Sequence, residues 1–336
     1  MTSSHRPLAA VVALALAVSV SGCAVGVASP SSTPSIVPLT VGLGYIPSVQ
    51  FAPFYLAQQR GLYRDAGLEV TFQNKIDPDL VTLVGQGAID IGLADGTSVI
   101  PAVSRGIPIQ YVASIYRTFP SIVFAKASSG IADAGDLAGT TLGIPGRYGS
   151  SWIMLQALLE SAGLSPDDLE IRVYPDFGQG VAVENDAVVA ATGFVNNEPV
   201  QLELAGHEVV VLRVDDFVPL PGPGLIAGSR LIEQRPDAIR AFIAATLEAM
   251  GQIVDDPQKG LDASIASVPD LAQNREAQSA VLAATIEAWQ GDDGAPLGTI
   301  VRMDWEESIG YLTRLDLVPT AIAWHQAIDD SLLPGG

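Results

Sequence analysis

The chain has 336 residues, 48 % of them hydrophobic and only 16 % charged, which is enough apolar material for two lobes or one large domain. A formal charge of −20 repels nucleic acid and anionic lipid and gives no long-range help in collecting an anionic substrate. One cysteine and three histidines leave no material for a disulfide framework, a zinc cluster or a serine–histidine–aspartate group, so no metal, cofactor or catalytic residue is expected.

The first segment reads as an export signal. His5 and Arg6 precede an apolar run, Leu8 to Val20, interrupted only by Ser19 and too short to span a bilayer as a folded helix. Val20-Ser21-Gly22-Cys23 follows. An aliphatic residue, two small residues and then Cys resemble the lipobox of bacterial lipoproteins. That resemblance implies a signal peptide over residues 1–22 and acylation of Cys23; the alternative is a small cysteine buried in a core. At roughly 0.8 kcal/mol per buried methylene, two or more acyl chains anchor stably, which would hold the protein outside the cytoplasm on the membrane. Residues 23–38, rich in Ser, Thr and Pro from Ala28 onward, read as a flexible tether.

The globular part opens with a strand, Leu39 to Leu43. Ala52 to Arg60 has helical spacing closed by Gly61, and Leu68 to Phe72 alternates as a strand. Leu80 to Gly85 is helical, Ile89 to Ala94 a strand, Thr97 to Ser104 a helix closed by Gly106, and Ile109 to Ser114 a strand. The rhythm restarts after Gly130. Thr141 to Ile144 is a strand, Gly146 to Gly149 a turn, and Ser150 to Ala162 a helix. Strands follow at Leu169 to Tyr174, Ala187 to Thr192 and Val209 to Leu212, with a helix at Pro199 to Ala205. Pro219 to Gly224 suits a crossover. Helices dominate thereafter: Arg235 to Val254, Glu276 to Trp289, Asp304 to Leu315 and Thr320 to Ser331. Such alternation predicts parallel βαβ units in an α/β fold. One lobe is expected over 39–126 and 223–336, and a second, inserted lobe over 127–222.

Several short segments, in this order and spacing, resemble the NMT1/THI5-like (SsuA/THI5) branch of the ABC-importer solute-binding proteins. They are Tyr45-Ile46-Pro47, Phe51 to Ala57, Gly61-Leu62-Tyr63, Ala66 to Val70, Gly87 to Gly92, Gly106-Ile107-Pro108, Asp136 to Gly139, Asp186-Ala187 and Asn197-Glu198-Pro199, with Gly206 closing the unit. The resemblance implies a two-lobed periplasmic-binding-protein-like fold (type II), with ligand in the interlobe cleft. It also implies a monomer that delivers its ligand to ABC permease and ATPase subunits. Ligand would shift the population toward a closed form.

In such folds, ligand contacts come from loops at the carboxyl ends of strands. The candidates are Tyr45, Gln50, Phe51 and Phe54 after the first strand, then Asp95, then Tyr116. The second lobe contributes Tyr148, Ser150 and Trp152, then Asp176, then Phe194, Asn197 and Glu198. Rings would stack on a flat ligand for about 0.5–1.5 kcal/mol per pair beyond burial. Asp, Asn and Glu would read its edge. Each has a structural alternative: Phe51 and Phe54 as core packing, Asp95 as the N-cap of its helix, and Glu198 as a cap of its own. Only Arg117 and Arg147 lie near these loops, which disfavours nitrate, sulfonates and taurine. A heteroaromatic vitamin or precursor fits better. The resemblance puts riboflavin first and a thiamine pyrimidine precursor second. An enzyme related to the pyrimidine synthases, or a sensor without transport, is the competing class. The synthases use a cysteine-rich motif that this chain lacks.

Overall fold

A computed structural model describes residues 36–74, 80–291 and 294–335. The expected signal peptide, Cys23 and most of the expected tether lie outside these residues. In chain order the strands are β1 (Val37–Gly42), β2 (Leu68–Gln73), β3 (Ile91–Ala94), β4 (Ile109–Ser114), β5 (Ser121–Lys126), β6 (Thr141–Ile144), β7 (Glu170–Val173), β8 (Ala190–Phe194), β9 (Val209–Arg213) and β10 (Gly224–Gly228). They form two five-stranded sheets, ordered β2-β1-β3-β10-β4 and β7-β6-β8-β5-β9. Both sheets are mixed. β1 runs parallel to β2 and β3, but β10 is antiparallel to β3 and β4. β6 runs parallel to β7 and β8, but β5 is antiparallel to β8 and β9. These two antiparallel strands follow the segments 115–120 and 214–223, where the chain passes from one sheet to the other and back.

The helices are α1 (Ala52–Gln59), α2 (Leu62–Asp65), α3 (Leu80–Gln86), α4 (Gly96–Ser104), α5 (Gly149–Ser161), α6 (Gln179–Glu184), α7 (Glu198–Leu204), α8 (Ser229–Gln234), α9 (Pro236–Asp255), α10 (Pro257–Ser267), α11 (Arg275–Gln290), α12 (Arg302–Arg314) and α13 (Trp324–Ala327). Proline opens α9 and α10, where its missing N–H has no intrahelical partner to lose.

Neighbouring residues on a strand point to opposite faces, and the cores divide accordingly. Leu39, Val41, Ile91 and Leu225 pack beneath α1, α9 and α11. There the Tyr63 and Phe242 rings stack 5.0 Å apart, and the Tyr63 hydroxyl lies 2.9 Å from that of Thr246. Ile109, Tyr111 and Ile226 face the other way, against Ile100, Trp305 and Leu312. In the second sheet Val123, Leu142 and Leu212 meet Met154, Leu155 and Leu158 of α5. Ile122, Phe124 and Ala191 meet Val183 of α6 and Leu202 of α7.

Four expectations are corrected. β1 begins at Val37, inside the expected tether, where Val37 and Pro38 already pair with Leu68 and Glu69. β5, assigned by the expected boundary to the first lobe, pairs in the second sheet, so the first crossing precedes it. The sheets are not wholly parallel. The expected helix Thr320 to Ser331 shortens to α13 and a 3-10 turn at Asp330–Leu332.

Candidate functional site

The carboxyl ends of β1, β3, β6 and β8 converge on a cavity of about 230 Å³ between the two sheets. Tyr45, Gln50, Phe51, Asp95 and Tyr116 line it from the first lobe; Tyr148, Ser150, Phe194, Asn197 and Glu198 line it from the second. Leu43, Leu80, Val81 and Leu93 add an aliphatic wall. Tyr45 meets Phe177 edge-to-face across the cleft, with ring centroids 4.9 Å apart. Phe177 holds a left-handed backbone, φ 60°, which is uncommon for a bulky residue and costs on the order of 1–3 kcal/mol.

Two buried carboxylates serve this cavity. Asp95 caps α4: its Oδ1 accepts from the Thr97 hydroxyl at 2.6 Å and the Ser98 N–H at 3.0 Å. It therefore fulfils the capping alternative and lines the cavity as well. Burial pushes its carboxyl up, opposed by these donors and by the Ser150 hydroxyl of the other lobe.

Glu198 is the first residue of α7. Its Oε2 accepts from the Phe194 N–H at 2.8 Å. Burial pushes its carboxyl up to about 7, against the pull of the Phe194 and Glu198 backbone donors and of Asn197. Burial also raises the Tyr45 hydroxyl, and the Glu198 charge raises it further. The carboxyl sits in a notch made by two glycines. A Cβ at Gly193 would lie 2.7 Å from Glu198 Oε2, and one at Gly180 would lie 3.1 Å from its Cγ.

Beside the cavity, the lobes share a polar contact. Asn196 Nδ2 donates to Gln50 Oε1 at 3.0 Å and to Thr285 Oγ1 at 2.8 Å, all three residues being buried.

Three expected ligand residues do not line the cavity. Phe54, on the inner face of α1, is 1 % exposed and packs against Phe72 and Phe242. Trp152 lies on α5 just past Ser150 and Ser151, where the ~100° rotation per residue carries it off the cleft. It packs on the second-lobe core, with the Arg147 guanidinium 5.1 Å from its ring centre. Asp176 is exposed, and its Oδ1 accepts from the Gly178 N–H at 3.2 Å.

Gln179 lines the cavity although sequence reasoning did not single it out, and in the Asp176-Phe177 loop it is Phe177 rather than Asp176 that reaches the lining. The signal for Gln179 is indirect. Glycine inside a strand marks the close approach of another group, and Gly143 of β6 and Gly193 of β8 lie against Gln179 and Glu198 respectively.

Among the described residues, no lysine, arginine or histidine lines the cavity. Arg117 lines a separate, much smaller pocket with Trp305 and Asp304. Among the described residues, no group of three or more His, Cys, Asp or Glu is placed to hold a metal ion, and no helix is long and apolar enough to cross a membrane.

Comparison with known proteins agrees with this architecture. The alkanesulfonate-binding protein SsuA from Xanthomonas axonopodis pv. citri superposes with a TM-score of 0.69 over 88 % of this chain and 98 % of its own, at 16 % identity. That likeness is one of fold, the two-lobed periplasmic-binding-protein architecture. The riboflavin-binding protein RibY of Chloroflexus aurantiacus is 32 % identical over 318 residues, 92 % of this chain and 89 % of RibY. A 4-amino-5-hydroxymethyl-2-methylpyrimidine phosphate synthase of Legionella pneumophila is 25 % identical over 69 % of this chain and 74 % of its own. The sequence profile described as NMT1/THI5 like matches residues 48–260, and the chain belongs to that family.

Proposed function

We propose that this protein is an extracytoplasmic solute-binding protein of an ABC importer, held to the membrane by lipid at Cys23. In this reading it captures a flat, nitrogen-rich heteroaromatic molecule between its lobes, with riboflavin the first choice. One observation carries the reading: the interlobe cavity is walled by aromatic rings and aliphatic groups, contains the carboxyls of Asp95 and Glu198, and among the described residues has no cationic side chain. A sulfonate or nitrate site needs cationic or multiple backbone donors to offset the ligand's charge. Rings with acceptor groups instead suit a heterocycle whose faces are apolar and whose edge donates. The 32 % identity to a protein named for riboflavin binding supports the choice within that class.

A second reading, a thiamine-type aminopyrimidine, is favoured by size. About 230 Å³ lies below the ~300–1,000 Å³ common for drug-sized ligands. Among the described residues, the cavity lining has no cysteine, histidine or lysine nucleophile, which supports capture rather than turnover.

Calorimetric titration of the purified protein with riboflavin, 4-amino-5-hydroxymethyl-2-methylpyrimidine and an alkanesulfonate tests the assignment. Saturable binding of a heterocycle and none of the sulfonate is expected. The reverse pattern overturns the ligand class, and conversion of a heterocycle into a new product overturns the binding role. Mass spectrometry of the membrane-extracted protein should show acyl mass on Cys23, absent from Cys23→Ser.

A further inference from the structure

Gln179 opens α6 at the floor of the cavity and is 1 % exposed. Its Nε2 donates to the Thr192 carbonyl at 3.2 Å and approaches Glu198 Oε1 at 3.5 Å. Its Oε1 is buried with no hydrogen-bond partner. An unpaired buried acceptor is destabilising, so this arrangement needs a reason. Turning the amide over would not relieve it, because Oε1 would then face the Thr192 carbonyl, acceptor against acceptor. The strand therefore fixes the amide with its N–H toward Glu198.

The surroundings of Glu198 are consequently donors. Phe194 N–H serves Oε2 and Gln179 N–H faces Oε1. The neighbouring Asn197 Oδ1 is already taken by Gln201 Nε2 at 2.8 Å. Gln179 is itself held from behind: a Cβ on Gly143 would lie 3.1 Å from its Cβ, so the strand floor fixes the side chain's root.

We propose that Gln179 is a positioning residue that holds the Glu198 carboxyl as an acceptor toward the cavity, so that the site selects heterocycles presenting an N–H donor there and rejects those presenting only acceptors. The inference rests on the reading of the cavity as a heterocycle site and adds the rule by which that site chooses.

The titratable groups lining the cavity with Glu198 are Tyr45, Asp95, Tyr116 and Tyr148. On the elements packed around it, Tyr174 and Asp176 precede α6, Glu184 ends α6, Glu203 lies on α7, Glu276 and Glu287 lie on α11 with Arg275 paired to Asp262, and Arg213 of β9 is paired to Asp215. Lys126, at the far end of β5, is paired with Asp186. None of these supplies a cation to Glu198, so amide and backbone donors are what favour its ionised form. Burial already moves that ionisation up to about 7, where the loss of one donor is readable.

The test is riboflavin affinity as a function of pH, measured on the detergent-solubilised full-length protein and on Gln179→Met, an isostere without donors. Wild-type affinity should rise with pH through Glu198 ionisation and then level off. In Gln179→Met the midpoint should move alkaline by on the order of one unit, with affinity at neutral pH roughly tenfold weaker. Glu198→Gln should flatten the profile, and adding Gln179→Met to it should cost nothing further. An unchanged midpoint, or an equal loss at every pH, overturns the proposal.

Should Gln179→Met not fold, wild-type protein still decides with 3-methylriboflavin, whose ring N–H is replaced by N–CH3. Loss of binding supports the donor rule, and equal binding refutes it. Wild-type protein that binds neither riboflavin nor the aminopyrimidine refutes the underlying site reading, an outcome distinct from both.

Discussion

Gly193→Ala is the sharpest probe of how the site holds Glu198. Gly193 lies in β8 and has no left-handed backbone, so the substitution introduces no backbone strain, only a methyl group. That methyl would lie 2.7 Å from Glu198 Oε2, 2.9 Å from its Cδ and 2.8 Å from Phe124 Cε1. Phe124 is 0 % exposed in the second-lobe core and has nowhere to go. Glu198 has the cavity in front of it, so the carboxyl yields. Moving it breaks the 2.8 Å bond from the Phe194 N–H. A hydrogen bond to a charged group contributes about 1.5–3 kcal/mol, so affinity for riboflavin should fall roughly 10- to 100-fold. Moving Glu198 leaves the 2.8 Å contact with Phe124, so a lower melting temperature is expected as well, and affinity is read on the folded fraction. Calorimetric titration above neutral pH, paired with a thermal melt, measures both effects. Wild-type affinity in a folded Gly193→Ala protein would show that Glu198 position does not govern binding.

Glu198 also sets a pH dependence of stability. Its folded-state pKa, raised from 4.5 to about 7, lies above its unfolded value, so the unfolded state releases this proton first and stability falls as pH rises between those values. The loss is about 3 kcal/mol, and Glu198→Gln should remove it; chemical denaturation of both proteins at about pH 4.5 and 8 checks the difference. Asn196→Ala removes the bonds to Gln50 and Thr285 that tie the lobes, so ligand affinity should drop roughly tenfold and the radius of gyration with ligand should increase in X-ray scattering. Phe54→Ala should cost about 3–5 kcal/mol of stability while leaving the affinity of the folded fraction unchanged, because that ring fills the core. A specific loss of affinity there, without loss of stability, would return Phe54 to the site.

The alternation of strand and helix was readable because each βαβ unit repeats a pattern of local signals: an apolar strand, a polar or glycine turn, an amphipathic helix. The loops at the strand ends followed from the same pattern, which is why Tyr45, Asp95, Tyr148 and Glu198 could be named before their neighbours were known. Asp95 shows how two readings of one residue can both hold. Its short side chain caps the helix with one oxygen, and the helix start lies at the cavity, so the cap and the lining are the same group.

What escaped reading was set by packing between elements distant in sequence. β5 is Ser-Ile-Val-Phe-Ala-Lys, buried on both faces, with no alternation to mark it. β10 is Gly-Leu-Ile-Ala-Gly, and its glycines extend the Pro/Gly cluster before it, so the segment resembles a loop. Those glycines serve the sheet's contacts. A Cβ on Gly224 would lie 2.1 Å from the Tyr111 hydroxyl, and one on Gly228 would lie 2.8 Å from the Val84 carbonyl.

Gln179 belongs to the same category. The preceding strand marked the Asp176-Phe177 loop, but nothing local sets Gln179 apart; it becomes a cavity wall because Gly143 of β6 leaves room for its side chain, as Gly193 of β8 does for Glu198. In this chain Gly143 and Gly193, beneath the cleft, leave room for Gln179 and Glu198 at its floor. A search for specificity in this chain should therefore begin at Gly143 and Gly193 and work outward to the groups they admit.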